Sequence, residues 1–102
     1  MRLPNHPAAA DISLIRVLHA LSDPARLSIV TTLATQGPLA CGALNLSIAK
    51  STASHHFRVL REAGIIQMQA EGTQFINSLR RDDLHSRFPG LLDVILQSAT
   101  IG

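Results

Sequence analysis

Two adjacent histidines, His55 and His56, stand among hydroxyls and basic side chains in KSTASHHFRVLREAG, residues 50–64. Imidazoles can ligate a metal, move a proton, or donate hydrogen bonds to an acidic partner. The spacing argues against the first. Neighbouring residues on a helix point about 100° apart, so His55 and His56 make a poor chelating pair. A helical metal pair needs i, i+4 spacing, and positions 51, 52, 59 and 60 are Ser, Thr, Val and Leu. Catalysis needs a nucleophile, a base and an orienting group. The lone cysteine, Cys41, with a histidine is the one conceivable pair. There is no glycine-rich phosphate loop, no serine elbow and no carboxylate pair in a plausible cleft. No enzymatic activity and no cofactor are expected. What remains is a row of hydrogen-bond donors, Lys50, Ser51, Thr52, Ser54, His55, His56 and Arg58, suited to phosphates and base edges.

The elements that must carry this row can be read from periodicity and punctuation. Ala53, Phe57, Leu60 and Gly64 recur at i, i+4, i+7 and i+11, which predicts an amphipathic helix over about 50–63. Thr52, His55, Arg58 and Glu62 form its wet face, with His56 on a flank. Upstream, LACGALNLSIA reads as a short helix, about 39–44, and a tight turn at Asn45–Ser47. Downstream, Ile66 and Met68 alternate with Gln67 and Gln69, and Phe75 and Leu79 with Gln74 and Ser78. Glu71-Gly72-Thr73 supplies a turn between the runs, so a β-hairpin is expected over about 65–79.

Three further helices frame this unit. Asp11 is the expected cap of a first helix from about Ile12 to Leu21. Asp23 caps a second, with Pro24 at its first position, Leu27, Val30, Leu33 and Ala34 inside, and Gly37-Pro38 at its end. RRDDLHSRFPGLLDVILQSA, residues 80–99, returns to helix, and Pro89 must break or restart it near Ser86 or Arg87. The first helix, with Leu14, Ile15, Val17, Leu18 and Leu21, is too apolar for one core face. So is the last, with Leu91, Leu92, Val94, Ile95 and Leu96. Such surfaces predict burial against a second chain. Residues 1–9, with two prolines, read as a flexible arm, and residues 10–102 as a single domain. The fold class is mainly α with a small β-hairpin. A short helix, a turn, a longer amphipathic helix and a two-stranded wing make a winged helix-turn-helix.

Totals set the bounds. A chain of 102 residues builds one small core. Nine Lys+Arg against seven Asp+Glu leave a charge of +2, too small to imply nucleic-acid binding, although eight of the nine are Arg. A single cysteine excludes an internal disulfide and fits a reducing compartment. No apolar run approaches the roughly 20 residues that span a bilayer, and the N-terminus has no signal-peptide core. A soluble, cytoplasmic protein is expected, with no membrane partner.

The runs ALSDPARLSIVTTLA at 20–34, STASHHFRVLREAGII at 51–66 and EGTQFINSL at 71–79 resemble the ArsR/SmtB-type bacterial repressors, and the resemblance extends from about residue 12 onward. It implies a homodimer joined by the first and last helices, with Leu14, Leu18, Leu91, Leu92 and Ile95 in the seam. It also implies repression from a palindromic double-stranded DNA operator, with 50–63 as the recognition helix. Thr73 and Gln74 are then candidates for the wing's contact with the minor groove or its phosphates. Arg26 and Arg61 are candidates for phosphates or for intramolecular ion pairs. The family often carries Ser at the recognition-helix N-cap, where this chain has Ala49, and Ser51 offers a cap one step later. Metal-sensing members use a Cys-x-Cys pair on the short helix, where Cys41 stands alone here. Others use Asp-x-His with a later His and Glu. Asp83-Leu84-His85 matches the first half, while Leu96 and Ala99 occupy the second. Metal is therefore not expected at these sites. Asp82 and Asp83 are expected to stabilise a helix N-terminus, His85 to be exposed, and Cys41 to be a small buried residue. The inducer is left open by the sequence: a small organic molecule, a redox change, a metal at another site, or none. The alternative is a metal- or redox-responsive repressor using Asp83 and His85, or Cys41.

Overall fold

The computed structural model describes residues 5–44 and 48–101, so the turn expected at Asn45–Ser47 lies outside the described residues, as do the first four of the arm. Helix α1 is Leu14–Leu21, two residues shorter than expected at its start. Asp11 closes a single 3-10 turn, Ala9–Asp11, and does not cap α1. Ile12 follows in extended conformation and is 1% exposed. Driving that side chain into the core requires non-helical backbone, so the cap passes to Ser13, whose hydroxyl accepts from the amide of Arg16.

Helix α2, Pro24–Gln36, starts and stops where its punctuation predicts. The Asp23 carboxylate accepts from the amides of Ala25 at 2.8 Å and Arg26 at 3.2 Å, and Gly37 ends the helix at φ 82°. These amide bonds, led by that of Arg26, hold the Asp23 carboxyl below its ordinary pKa. The inner stripe differs from expectation. Arg26, Ile29, Val30 and Leu33 are buried, whereas Leu27 is only half-buried.

The short helix expected over 39–44 is replaced. Leu39–Ala40 is a strand, β1, and only Cys41–Ala43 coils, as a 3-10 turn. Pro38 favours extended backbone and Gly42 weakens any longer helix. The side-chain amide of Asn77 completes the change by donating to the carbonyl of Leu39 at 3.2 Å and to Sγ of Cys41 at 3.1 Å. Cys41 is accordingly half-buried and hydrogen-bonded, not a plain apolar filler.

Helix α3, Lys50–Glu62, leads through Ala63 and Gly64 into β2, Ile66–Glu71, and β3, Gln74–Leu79. Gly64 takes φ +83°, and a Cβ there would stand 2.6 Å from Cγ1 of Ile12, so glycine is required by both conformation and space. The turn between β2 and β3 uses Gly72 at φ 63°. The two strands pair antiparallel from Ile66↔Leu79 to Glu71↔Gln74. Because β1 pairs with β3 as well, the sheet has three strands in the order β1-β3-β2. Asn77, fully buried on the inner side of β3, ties that strand to β1 and the turn after it.

Helix α4, Arg81–Arg87, and helix α5, Leu91–Ile101, are separated at Pro89-Gly90, as the proline requires. Ile12, Val17, Ile29, Val30, Leu60, Ile65 and Ile66 form the centre of the core. Residues 5–9 of the expected arm do not hang free. Nε2 of His6 accepts from the amide of Met68 at 2.9 Å, and Arg80 donates to the carbonyl of Pro7 at 2.8 Å. Burial, then the nearby Arg61 and Arg80 guanidiniums, lower the pKa of His6 below its ordinary value.

Candidate nucleic-acid interface

Helix α3 carries the site because its two faces are chemically opposite. Phe57 and Leu60 are buried and Ala53 is half-buried, which fixes the rotation of the helix against the core. That rotation leaves Lys50, Ser51, Thr52, Ser54, His55 and Arg58 exposed together, with Glu62 at the far end. The N-cap is Ala49, and no side chain caps the helix start. Ser51 therefore remains a surface hydroxyl, not a cap. Thr73 and Gln74 are exposed at the wing tip, so both wing candidates are accessible.

One member of the expected row stands apart. His56 is only 9% exposed, and its Nδ1 lies 3.1 Å from Nη1 of Arg26. The ring turns inward at the border of the polar face, and its centroid is 5.8 Å from that of His55. His56 thus cannot offer both nitrogens to a ligand.

The arginines divide in a way the composition conceals. Arg26 donates Nε to the carbonyl of Ala20 at 2.7 Å and is buried, so it is neither a phosphate contact nor a salt-bridge partner. Arg80 pairs with Asp83 at 2.9 Å. Arg81 donates to the carbonyl of Ala34, and Arg87 donates twice to that of Ile12. Arg61 is half-buried, with Nη1 3.8 Å from Sδ of Met68. Arg26, Arg80, Arg81 and Arg87 serve the fold by satisfying carbonyls that helix ends and bends leave unpaired. On the α3 face the positive charge comes from Lys50 and Arg58.

The positions considered for metal lie apart from this face. Asp83 is engaged by Arg80, and His85 is exposed. Asp82 and Asp83 occupy the first turn of α4. Among the described residues no group of three or more His, Cys, Asp or Glu could hold a metal. No described helix is long and apolar enough to cross a membrane.

A helix presenting hydroxyls, an imidazole and a guanidinium beside a β-hairpin wing defines the winged helix-turn-helix class of DNA-binding proteins. Comparison with known proteins agrees. Residues 21–69 match the family described as "Helix-turn-helix domain". The uncharacterized HTH-type transcriptional regulator YceK of Bacillus subtilis is 39% identical over 83 residues, covering 78% of this chain and 83% of that protein. The biofilm growth-associated repressor of Agrobacterium fabrum is 38% identical over 76 residues, 72% of this chain and 62% of the repressor's length. The crystal structure of the transcriptional repressor BigR from Xylella fastidiosa superposes with a TM-score of 0.60 at 30% identity. It covers 74% of this chain and 85% of that one. The chain belongs to the ArsR/SmtB-type winged helix-turn-helix regulators and is a DNA-binding transcriptional regulator.

The Arg26–His56 contact and the buried Asn77 escape sequence reading. Thirty residues separate Arg26 from His56, so no local pattern signals the pair. Asn77 had one available signal, its period-two register with Phe75 and Leu79 on the inner side of β3.

Proposed function

We propose that the protein is a homodimeric repressor that binds a palindromic operator. The single observation that carries the reading is the apolar surface on α1 and α5. Leu14 is 42% exposed, Ile15 74%, Leu18 44% and Val94 60%. Beside them runs a groove of 610 Å3 lined by Leu18, Leu21, Pro24, Leu27, Val94 and Ile95. Among the described residues nothing covers this face, and contiguous apolar exposure of this kind marks an interface. A two-fold contact covers it with the same face of a second copy. Two α3 helices then enter successive major grooves about one DNA turn, roughly 34–36 Å, apart.

The residues of the expected seam are not equally exposed for meeting a second copy. Leu91 and Leu92 pack on the chain's own core, and Ile95 is half-buried beside them. Leu14 and Leu18 remain seam residues, and Ile15 and Val94 join them. The effector is a molecule other than a metal at Asp83 and His85, since Asp83 would have to leave its ion pair with Arg80 to become a ligand. Sedimentation at micromolar concentration with and without a selected duplex is the test. A stable monomer that protects only one half-site overturns the reading.

A further inference from the structure

Arg26 sits in the interior with an unusual pair of acceptors. Its side chain is 8% exposed, and its guanidinium meets the carbonyl of Ala20 and Nδ1 of His56. Among the described residues its side chain forms no ion pair. An arginine has only donors and keeps its proton throughout the accessible pH range. Nδ1 of His56, 3.1 Å from Nη1, must therefore be the lone-pair nitrogen of the ring. The ring proton is forced onto Nε2, the nitrogen farther from the backbone.

Three elements meet at this one contact. Ala20 lies in the last turn of α1, Arg26 in the first turn of α2 and His56 in the middle of α3. The carbonyl of Ala20 is among those a helix end leaves without an intrahelical partner. The guanidinium fills that vacancy and, with its other arm, holds the ring of His56 on the recognition helix. The Asp23 carboxylate, bound to the amide of Arg26, keeps the first turn of α2 in register. His56 itself lies next to exposed His55 and one turn beyond exposed Thr52, at the edge of the polar face. Its Nε2 has no hydrogen-bond partner among the described residues and is not one of their buried unpartnered atoms, so it reaches the surface at that edge and is free to donate outward.

We propose that Arg26 is a positioning residue for DNA binding, which holds Nδ1 of His56 as its acceptor and so turns Nε2–H outward to donate to a phosphate oxygen of the operator. His56 thereby differs from His55. It is a donor of fixed direction, while its neighbour is exposed on the surface. The inference rests on α3 docking in the major groove, and it assigns a role to a residue that never touches DNA.

The test uses the full chain and a duplex that the wild type selects from a random-sequence pool. Long-range proton–nitrogen NMR at about pH 8, where a free imidazole is neutral, reads each tautomer without DNA. His56 is expected as Nε2–H with an acceptor Nδ1. In Arg26→Met the two tautomers are expected to mix. A wild-type His56 protonated on Nδ1, or on both nitrogens, overturns the proposal. Adding the duplex to the wild type is expected to shift the Nε2–H resonance of His56, and a resonance that does not move also overturns it. His56→Asn retains an acceptor for Arg26 but no donor at the outer position. It is expected to keep the fold and bind about tenfold more weakly, the loss of one phosphate contact. Unchanged affinity in that variant sinks the donor role. Arg58→Ala serves as the control for docking. Weakened binding there with unchanged binding in His56→Asn means that α3 docks but His56 does not donate. Unchanged binding in both means that α3 itself is misassigned.

Discussion

Helix α3 and the paired faces of α1 and α5 are both exposed, yet opposite in kind. On α3 the polar residues outside and the apolar residues inside follow a single helical period, so one sequence stretch defines one rotation. On α1 and α5 apolar residues occupy nearly every direction, and the period leaves the rotation undefined. Packing settles it. Val17 and Ala20 turn inward on α1 and leave Leu14, Ile15 and Leu18 outside. On α5, Leu91, Leu92 and Leu96 meet the core while Val94 is 60% exposed. A polar face thus identifies its partner by chemistry, while an apolar face identifies it only after the chain's own core has taken its share.

The strongest way to break this comparison is to charge the apolar face. Ile15→Asp combined with Val94→Asp leaves the core untouched, because both side chains point outward. Circular dichroism should show an intact fold, while sedimentation shows a monomer. Operator affinity should fall by about 100-fold or more, the loss of two linked half-sites. A double variant that still binds as a dimer would remove the interface from α1 and α5. Leu92→Asp, by contrast, should lose folding and binding together, since Leu92 packs on the core.

The joint between the two regions offers the next largest effect. Gly64 ends α3 and lies against Ile12, which leads into α1. Gly64→Ala combines a positive φ with overpacking and should cost about 3 kcal/mol of folding stability. Thermal unfolding reads this directly, and a variant as stable as the wild type would mean that the joint is slack.

On the polar face, Arg58→Ala should weaken operator binding by about 1–3 kcal/mol if the guanidinium reads a base. Folding should be unaffected, because Arg58 is exposed. Titration against the selected duplex measures the first and thermal melting the second. Because four of the arginines serve backbone carbonyls, the same titration over a range of salt should give a shallow slope, governed by Lys50, Arg58 and their symmetry mates.

The smallest effect concerns the arm. His6 accepts from the amide of Met68 only when Nε2 is deprotonated. Its pKa is depressed by burial and by two arginines, so the undocked arm binds the proton more readily. The docking contribution is therefore complete above the ordinary value of 6.5 and is lost as pH falls below it. Hydrogen exchange at the Met68 amide should quicken relative to its neighbours as pH is lowered through that window, once intrinsic rates are divided out. His6→Ala should remove the difference, and an unchanged ratio in the wild type would show that the arm is held by other contacts.

Much of this molecule is legible in its residues alone, wherever a local rule has no competitor. Asp23-Pro24 starts α2 and Gly37 stops it, because a cap, a fixed φ and a positive φ need no distant partner. The rotation of α3 and the turn at Gly72 follow from periodicity and glycine for the same reason. The row of donors on α3 is legible too, since its spacing is set within one helix. Prediction failed where a distant group outbid a local one. Ile12 unwound the start of α1 to reach the core. Asn77 drew Leu39 into a third strand and left only a 3-10 turn at Cys41–Ala43. Arg26 bent toward Ala20 and His56, so that it serves neither of its two candidate roles, phosphate contact or ion pair. Hydrogen bonding across thirty or more residues carries no imprint in local spacing, because a donor of fixed chemistry can serve any carbonyl or imidazole that folding brings within 3 Å or so. Which donors were left over for DNA was therefore a matter of packing, while their presence on one helical face was already written in the order of the residues.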